Sequence, residues 1–458
     1  WRNSLAELGG LLGSGEISSV QLLSHYKERI ARLNPDLNAL ITCNPEVEVQ
    51  AEKSDARRQR GASLGPLDGV PIAIKDNILT KDLKTTWGSP VYETYIPDRD
   101  EIAVERLKAN GALIIGKTNV PEFTLEGITD NSLFGPTRNP YDLSVTPGGS
   151  SGGSVAGVAA GLFPAALGTD GGGSIRRPAG YTGLVGLKPS IGRIARTECL
   201  PQILYDLEVI GPLARTVTDV ALLFAALEGP HPQDPHSWHR EEPDRTLKLD
   251  VASGPLRIRY VERFEDAPVD PEIAASCRTF MDRLENLGHR VEEGALPIDI
   301  TALNRDWPLI GKCGLAFLER DLGNEFQRAS PKYRTMAREG RAIEGGYLFA
   351  LFDMLASLRR QAAEVFNEID IIVTPASAAM PWEIGTDSPS QIDGEPVGPR
   401  GHAIYTGWVN AIGHPAIALP TAPGEGDMPI GVQMIGGYNR DWLLLRLARQ
   451  MEDAYPFA

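Results

Sequence analysis

Residues 111–118 read GALIIGKT, and the interpretation of this octapeptide decides the fold. Its letters satisfy the G-x-x-x-x-G-K-[ST] phosphate-loop pattern in full. A phosphate loop must turn several backbone N–H groups toward its ligand and then open directly into a helix. Here the four variable positions are Ala, Leu, Ile and Ile, and Asn119-Val120-Pro121 follows. An apolar run of that kind is a buried strand, which leaves Lys117 as a solvated or locally paired side chain. Its surroundings have the same texture. From Leu67 to Gly183 short apolar runs (GVPIAI, ALII, FPAALG) are separated by Gly and Pro, with a helix near Glu101 to Ala109. Strands that alternate with helices predict an α/β sheet.

The pattern continues on both sides. SSVQLLSHYKERIARL (18–33) spaces Val20, Leu23, Tyr26, Ile30 and Leu33 by three or four behind Ser18 or Ser19, an amphipathic helix with its cap. VTDVALLFAALE (217–228) is a helix with Thr218 as the expected cap. LRIRYVE and PEIAASCRTFMDRLENLGHRVEE read strand, helix, strand. A helix around Leu348 to Ile369, the strands IDIIVTP and IGVQMIGG, and the helix NRDWLLLRLARQMEDA close the chain. Residues 229–254 and 376–402 are polar excursions, the second long enough for a lid. The expectation is one large α/β domain over 1–458, a twisted mixed sheet covered by helices on both faces. Its parts are an N-terminal helical segment (1–64), a core (65–228) and a more variable half that shapes the substrate pocket (229–458).

Composition narrows the function. The 458 residues carry 60 acidic and 45 basic side chains, a net charge of −15, which disfavours an extended phosphate-binding groove, so no nucleic-acid partner is expected. Cys43, Cys199, Cys277 and Cys313 form no Cys-x-x-Cys pair, so neither a zinc ribbon nor a disulfide scaffold is indicated, and a reducing, cytoplasmic setting is the expectation. No window of about 18 uninterrupted apolar residues predicts a membrane span. The first residue is Trp1 rather than Met, so the numbering is expected to begin inside the gene product, where a targeting segment could precede it. None of the seven histidines has metal-ligand spacing, and GGSIR lacks the Gly-x-Ser-x-Gly elbow of a Ser-His-Asp hydrolase. No metal and no organic cofactor are expected.

Three features coincide elsewhere. PGGSSGGS (147–154) contains two Gly-flanked serines, GTDGGGSIR (168–176) places another behind three glycines, and Lys75 ends the apolar run from Val70. Nucleophilic catalysis needs an uncrowded hydroxyl, a base and free N–H groups around an oxyanion. Three consecutive glycines let successive N–H groups converge in a way that residues with a Cβ would hinder. A single GGGS would be no more than a tight turn. In order along the chain stand GVPIAIKDN, LIIGKTN, PEF, FGPTRNPYD, PGGSSGGS, GTDGGGSIRRPA, GLKPS and IGPLARTVTD. On these stretches the chain resembles the amidase signature family, strongly from about Gly65 to Leu227 and more weakly beyond.

The resemblance implies a Ser-Ser-Lys triad with Ser174 as nucleophile, Ser150 as bridge and Lys75 as base. It also implies a cis Gly149-Ser150 bond and an oxyanion hole from the N–H groups of Gly171, Gly172, Gly173 and Ser174. Desolvation in an apolar setting is what would let a lysine act as a base near neutral pH. Thr169 and Asp170 would support the bridge and the loop, although Asp170 could equally be a loop acid making Asx-type bonds. The acyl pocket is implied around Thr124, Leu125 and Thr129 to Asn131, with Asn131 alternatively a turn residue. Met380, Trp382, Tyr405 and Trp408 could line an aryl or apolar pocket or pack in the core. Arg176 is expected to be structural, whereas Arg177 could face the pocket and pair with a substrate carboxylate or form a salt bridge elsewhere. The implied activity is hydrolysis of a small amide, by a chain that could form a homodimer. The alternatives are the glutaminase component of a tRNA-dependent amidotransferase, its A subunit, and an inactive binding relative, which the intact Lys75, Ser150 and Ser174 disfavour.

Overall fold

The computed structural model describes residues 2–237, 249, 254–423 and 428–457. Thirteen strands are present among them: β1 (Leu40–Cys43), β2 (Pro71–Lys75), β3 (Leu113–Thr118), β4 (Ala165–Asp170), β5 (Val185–Lys188), β6 (Val209–Ala214), β7 (Arg257–Tyr260), β8 (Arg290–Glu293), β9 (Ile371–Pro375), β10 (Gln391–Ile392), β11 (Glu395–Pro396), β12 (Ala416–Pro423) and β13 (Pro429–Gly436). Eleven form one sheet in the order β1-β3-β2-β4-β6-β5-β12-β13-β9-β7-β8; β10 and β11 make a separate hairpin. The sheet is mixed: β2 runs parallel to β3 and β4, and β7 to β8 and β9, while β4-β6-β5-β12-β13-β9 alternate in direction. Every residue of β2, β3, β4, β9 and β13 is buried. Successive strand residues point to opposite faces, so uninterrupted burial means that both faces of the sheet centre are covered. The covering helices include Gly152–Ala159 against β4 and β2, Val217–Leu227 against β6, and Asp441–Ala454 against β12. Polar residues appear at the rims, where β1 and β8 are partly exposed. This is the α/β fold expected from the alternation of elements.

The phosphate-loop look-alike is β3. Its Gly116 lies where the neighbouring strand comes close, since a Cβ there would stand 2.1 Å from the carbonyl oxygen of Thr42. Lys117 is not solvated: it is fully buried and donates to the Ile78 carbonyl, to Thr80 Oγ1 (3.1 Å) and to Thr85 Oγ1 (2.9 Å). Ser18 caps the helix Ser19–Leu37 in a capping box with Gln21, while Val20, expected on its apolar face, is exposed. The cap of Val217–Leu227 is Thr216, whose side chain accepts from the Asp219 N–H, rather than Thr218. Residues 238–248 and 250–253 of the first polar excursion lie outside the described residues. The second excursion, 376–402, runs through the β10–β11 hairpin and returns as one wall of a cavity. No helix among the described residues is long and apolar enough to cross a membrane.

Candidate active site

Lys75 is the last residue of β2, a strand on which proline can stand only because Pro71 opens it. Its side chain is fully buried, and Nζ donates to Ser150 Oγ (2.8 Å), Thr169 Oγ1 (2.8 Å) and the Thr169 carbonyl (3.2 Å). Burial pushes the ammonium down to about 7; Glu208 and Asp170 pull it up, and Arg196 adds to the depression. A lysine poised there is substantially neutral at physiological pH. Glu208 reaches this region through Asn77, whose Nδ2 donates both to Glu208 Oε1 (3.1 Å) and to Thr169 Oγ1 (3.0 Å).

Ser150 follows a cis peptide bond from Gly149 and is 1% exposed. The next residue ties the two serine loops together: Ser151 N–H donates to the Ser174 carbonyl (3.2 Å), and Ser151 Oγ to the Thr169 carbonyl (3.2 Å). Ser174 lines a cavity of about 460 Å³. Among the described residues no hydrogen bond joins the Ser174 and Ser150 hydroxyls, and catalytic hydrogen bonds commonly tighten only when substrate is bound.

The turn that carries Ser174 is held by Asp170, at the end of β4. Its carboxylate accepts from the N–H groups of Gly173 (2.7 Å) and Ile175 (3.0 Å) and from Arg176 Nε (3.0 Å) and NH2 (2.9 Å). Burial opposes its ionisation, but the charge and hydrogen bonds of Arg176 prevail and hold it far below the usual carboxylate range. Asp170 thus makes the loop-acid bonds and the supporting ion pair at once. Arg176, fully buried, also reaches Gln433 Oε1 (2.9 Å) and Asn410 Oδ1 (2.6 Å), fastening the turn to the C-terminal part of the sheet. Gly173 has φ +110° and a Cβ there would lie 2.2 Å from Thr406 Oγ1, so no other residue fits. Because its N–H is taken by Asp170, Gly173 shapes the turn instead of donating to an oxyanion, leaving Gly171, Gly172 and Ser174 as the candidate donors.

Of the expected pocket residues, Thr124, Leu125 and Arg177 line the cavity. Asn131, Tyr405 and Trp408 do not, and neither do Thr129, Asp130, Met380 and Trp382. Asn131 turns away: its Nδ2 donates to Asn119 Oδ1 (2.8 Å) and the Val120 carbonyl (2.7 Å), and its Oδ1 accepts from Leu133 and Phe134 N–H, the pattern of a turn residue. Tyr405 is fully buried with its hydroxyl donating to the Glu262 carbonyl (2.6 Å), and Trp408 is buried near Phe264. The excursion ends just before them, and the helix Gly407–Ile412 is buried throughout, so both aromatics belong to the core. Sequence reasoning missed Trp307, Lys332, Arg400 and His402, all on the cavity wall. They come from the helices Thr301–Leu322 and Pro331–Arg341 and from the end of the excursion, none of which carries a motif. Among the described residues no group of three or more His, Cys, Asp or Glu side chains could hold a metal ion.

The amidase family model matches residues 21–445. The chain is 35% identical to the A subunit of glutamyl-tRNA(Gln) amidotransferase from Methylococcus capsulatus, over 99% of its own length and 97% of that protein's. Among solved structures, a bacterial aryl acylamidase of the amidase signature family superposes with a TM-score of 0.90 at 29% identity, covering 99% of this chain and 96% of that one. A 6-aminohexanoate cyclic dimer hydrolase superposes with a TM-score of 0.89 at 29% identity, covering 99% and 97%. The chain belongs to the amidase signature family and is an amide C–N hydrolase. The expectation of no connection to nucleic acid does not fit the relative whose activity involves a tRNA.

Proposed function

We propose that the chain hydrolyses a small carboxylic amide through a serine acyl-enzyme. The observation that carries this reading is the buried Lys75 ammonium bonded to Ser150 Oγ at 2.8 Å, beside the loop that delivers Ser174 to the cavity. In its neutral form Lys75 takes the Ser150 proton as Ser150 takes that of Ser174; Ser174 Oγ adds to the carbonyl carbon, and the oxyanion is met by the N–H groups of Gly171, Gly172 and Ser174. One effective donor of this kind is worth about 3–4 kcal/mol. The relay then protonates the departing nitrogen, and water cleaves the ester by the same route. No metal or organic cofactor is needed for these steps. Thr169 orients Lys75, and Asp170 holds the donor turn. Intact-mass analysis after treatment with a fluorophosphonate should show one adduct on the wild type and none on Ser174→Ala; an adduct that persists elsewhere overturns the assignment.

A second reading rests on the 35% identity to an amidotransferase component along nearly the whole chain. In it the amide is glutamine, the ammonia passes to a partner, and the assembly acts on a charged tRNA. Co-purification with a partner protein, and glutamine turnover that responds to it, would support that reading over a free-standing amidase.

A further inference from the structure

The helices Thr301–Leu322 and Pro331–Arg341, which wall one side of the cavity, carry three glycines, at 311, 314 and 340. Glycine is a poor helix former, so each needs a reason. Two of the reasons are close packing. A Cβ at Gly314 would stand 1.9 Å from the Ile203 carbonyl oxygen, and one at Gly340 would stand 2.0 Å from the Lys312 carbonyl oxygen. Gly311 has no such neighbour. A Cβ there would meet Leu125 Cδ2 at 3.6 Å and Leu204 Cδ2 at 3.9 Å, both ordinary contact distances, and its backbone is that of the surrounding helix, with no positive φ. Alanine would therefore fit and would suit the helix better. What the missing side chain leaves is space, and Gly311 lines the cavity.

The space has an apolar wall. Leu125, Leu204 and Met336 are half-buried: they pack against the core cluster that contains Phe123, Ile203, Leu315 and Phe326, and they line the cavity. Trp307, one turn before Gly311 on the same helix, is fixed where it stands. Its ring lies 3.2 Å from where a Cβ of Gly172 would be and 3.6 Å from where one of Gly407 would be, and the Arg400 guanidinium covers it, 5.4 Å from the centroid. Among the described residues the one charged side chain that these two helices present to the cavity is Lys332, and it is paired with Glu126 Oε1 and Asp387 Oδ2, both at 2.9 Å. The gap is also close to the chemistry. Leu204 Cδ1 lies 2.5 Å from where a Cβ of Gly171 would be, while its Cδ2 borders the gap, so one leucine side chain separates Gly311 from the turn that carries Ser174. We infer that Gly311 sets the size limit of the substrate: the amide carries an apolar group, an aryl ring or an extended alkyl chain, that fills the space over Gly311 between Leu125, Leu204, Trp307 and Met336. This inference deepens the proposed amide hydrolysis and rests on Ser174 as the reacting residue. Such a seat selects by shape, because one methylene more or less in an apolar pocket changes kcat/KM by about 10- to 200-fold. A glycine kept only for helix packing would leave its open Cβ position unexplained.

The test adds side chains back. Gly311→Ala should melt at or above the wild-type temperature, whereas Gly314→Ala, which drives a Cβ against the Ile203 carbonyl, should melt below it. Turnover is then compared in two series: acetamide, butyramide and phenylacetamide, in which the acyl group grows, and N-methylacetamide and acetanilide, in which the amine grows. Gly311→Ala should lower the preference for phenylacetamide over acetamide, or for acetanilide over N-methylacetamide, at least about tenfold through KM, and Gly311→Leu should abolish it. The series that responds tells whether the acyl or the amine part lies over Gly311. Calorimetry of phenylacetamide and acetanilide on Ser174→Ala protein gives a readout that needs no turnover: at least one should bind, and adding Gly311→Leu should weaken it at least about tenfold. A melting temperature of Gly311→Ala as low as that of Gly314→Ala, preferences unchanged in both series, or no binding of either amide overturns the inference. If an apolar amide binds and Gly311→Leu weakens it while fluorophosphonate fails to label Ser174, the acyl-enzyme reading falls and the apolar seat stands.

Discussion

Replacing Glu208 with glutamine should move the acid limb of the pH-rate profile toward lower pH. In the proposed relay Lys75 must be neutral to accept a proton, so the rate is expected to rise with pH along a limb that reports the apparent pKa of the coupled Lys75, Ser150 and Ser174 unit, of which Lys75 is itself pushed down to about 7. Glu208 favours the charged form of Lys75, and three hydrogen bonds of 2.8, 3.0 and 3.1 Å run from Nζ through Thr169 Oγ1 and Asn77 Nδ2 to Glu208 Oε1. The two charges are therefore no more than about 9 Å apart, and their attraction is about 0.5 kcal/mol at the dielectric constant of water and about 1.8 kcal/mol at an effective value near 20. At about 1.36 kcal/mol per pH unit the limb should fall by about 0.3 to 1.4 units. Arg196, which also pairs with Glu208 (2.8 Å), acts in the same direction once that partner is neutral. Glutamine keeps an acceptor for Asn77, so the geometry is retained. The assay is kcat/KM for one amide from pH 5 to 9, with exposed Glu395→Gln as the control that should not move. A limb that stays in place, or shifts upward, would show that Lys75 is not the group that titrates.

Other outcomes follow from the same contacts. Lys75→Met should abolish turnover and flatten the pH dependence of stability: the folded-state value near 7 lies below the ordinary 10.5, so the unfolded chain binds more protons between them and wild-type stability rises with pH across that window. Melting temperatures at pH 6.5 and 10 would check this, with an unchanged difference between the two counting against it. Asp170→Asn leaves Arg176 buried without its counter-charge and should cost about 3–5 kcal/mol in denaturant unfolding, together with most activity. Gly116→Ala should destabilise the chain through the clash with the Thr42 carbonyl, while ATP leaves the melting temperature of the wild type unchanged; a nucleotide-dependent rise would restore the phosphate-loop reading.

What could be read from the residues was local. The strand identity of GALIIGKT followed from four apolar side chains in a row, and the helix Ser19–Leu37 was announced by a serine cap at Ser18 or Ser19, of which the structure selects Ser18. The glycine turn before Ser174 was legible because a backbone that must bend sharply and expose N–H groups admits few side chains. The pocket was not legible, because its wall is assembled from chain segments far apart in sequence. Trp307 sits in an ordinary amphipathic helix, and nothing near it indicates that it crosses Gly172. Tyr405 and Trp408 misled for the converse reason: they adjoin a Gly- and Pro-rich excursion, yet the chain re-enters the core at that point, and a buried tyrosine hydroxyl found its acceptor in Glu262. Asn131 was ambiguous in sequence because a short amide serves a turn and a ligand equally well, and its four local hydrogen bonds show which it does.

The bonds from Arg176 to Asn410 and Gln433 have a consequence for the life of the newly made chain. The glycine turn and its serine are synthesised in the first half of the protein, but the groups that clamp Arg176, and through it Asp170, arrive more than two hundred residues later. A polypeptide emerging from the ribosome therefore carries Lys75, Ser150 and Ser174, the proposed triad, long before the turn can be set, and contacts between such distant segments form late because closing so large a loop is entropically costly. On the proposed mechanism, hydrolytic competence would be withheld until residues 410 and 433 have been made, and a product terminated before residue 410 is expected to be inert although Lys75, Ser150 and Ser174 are all present.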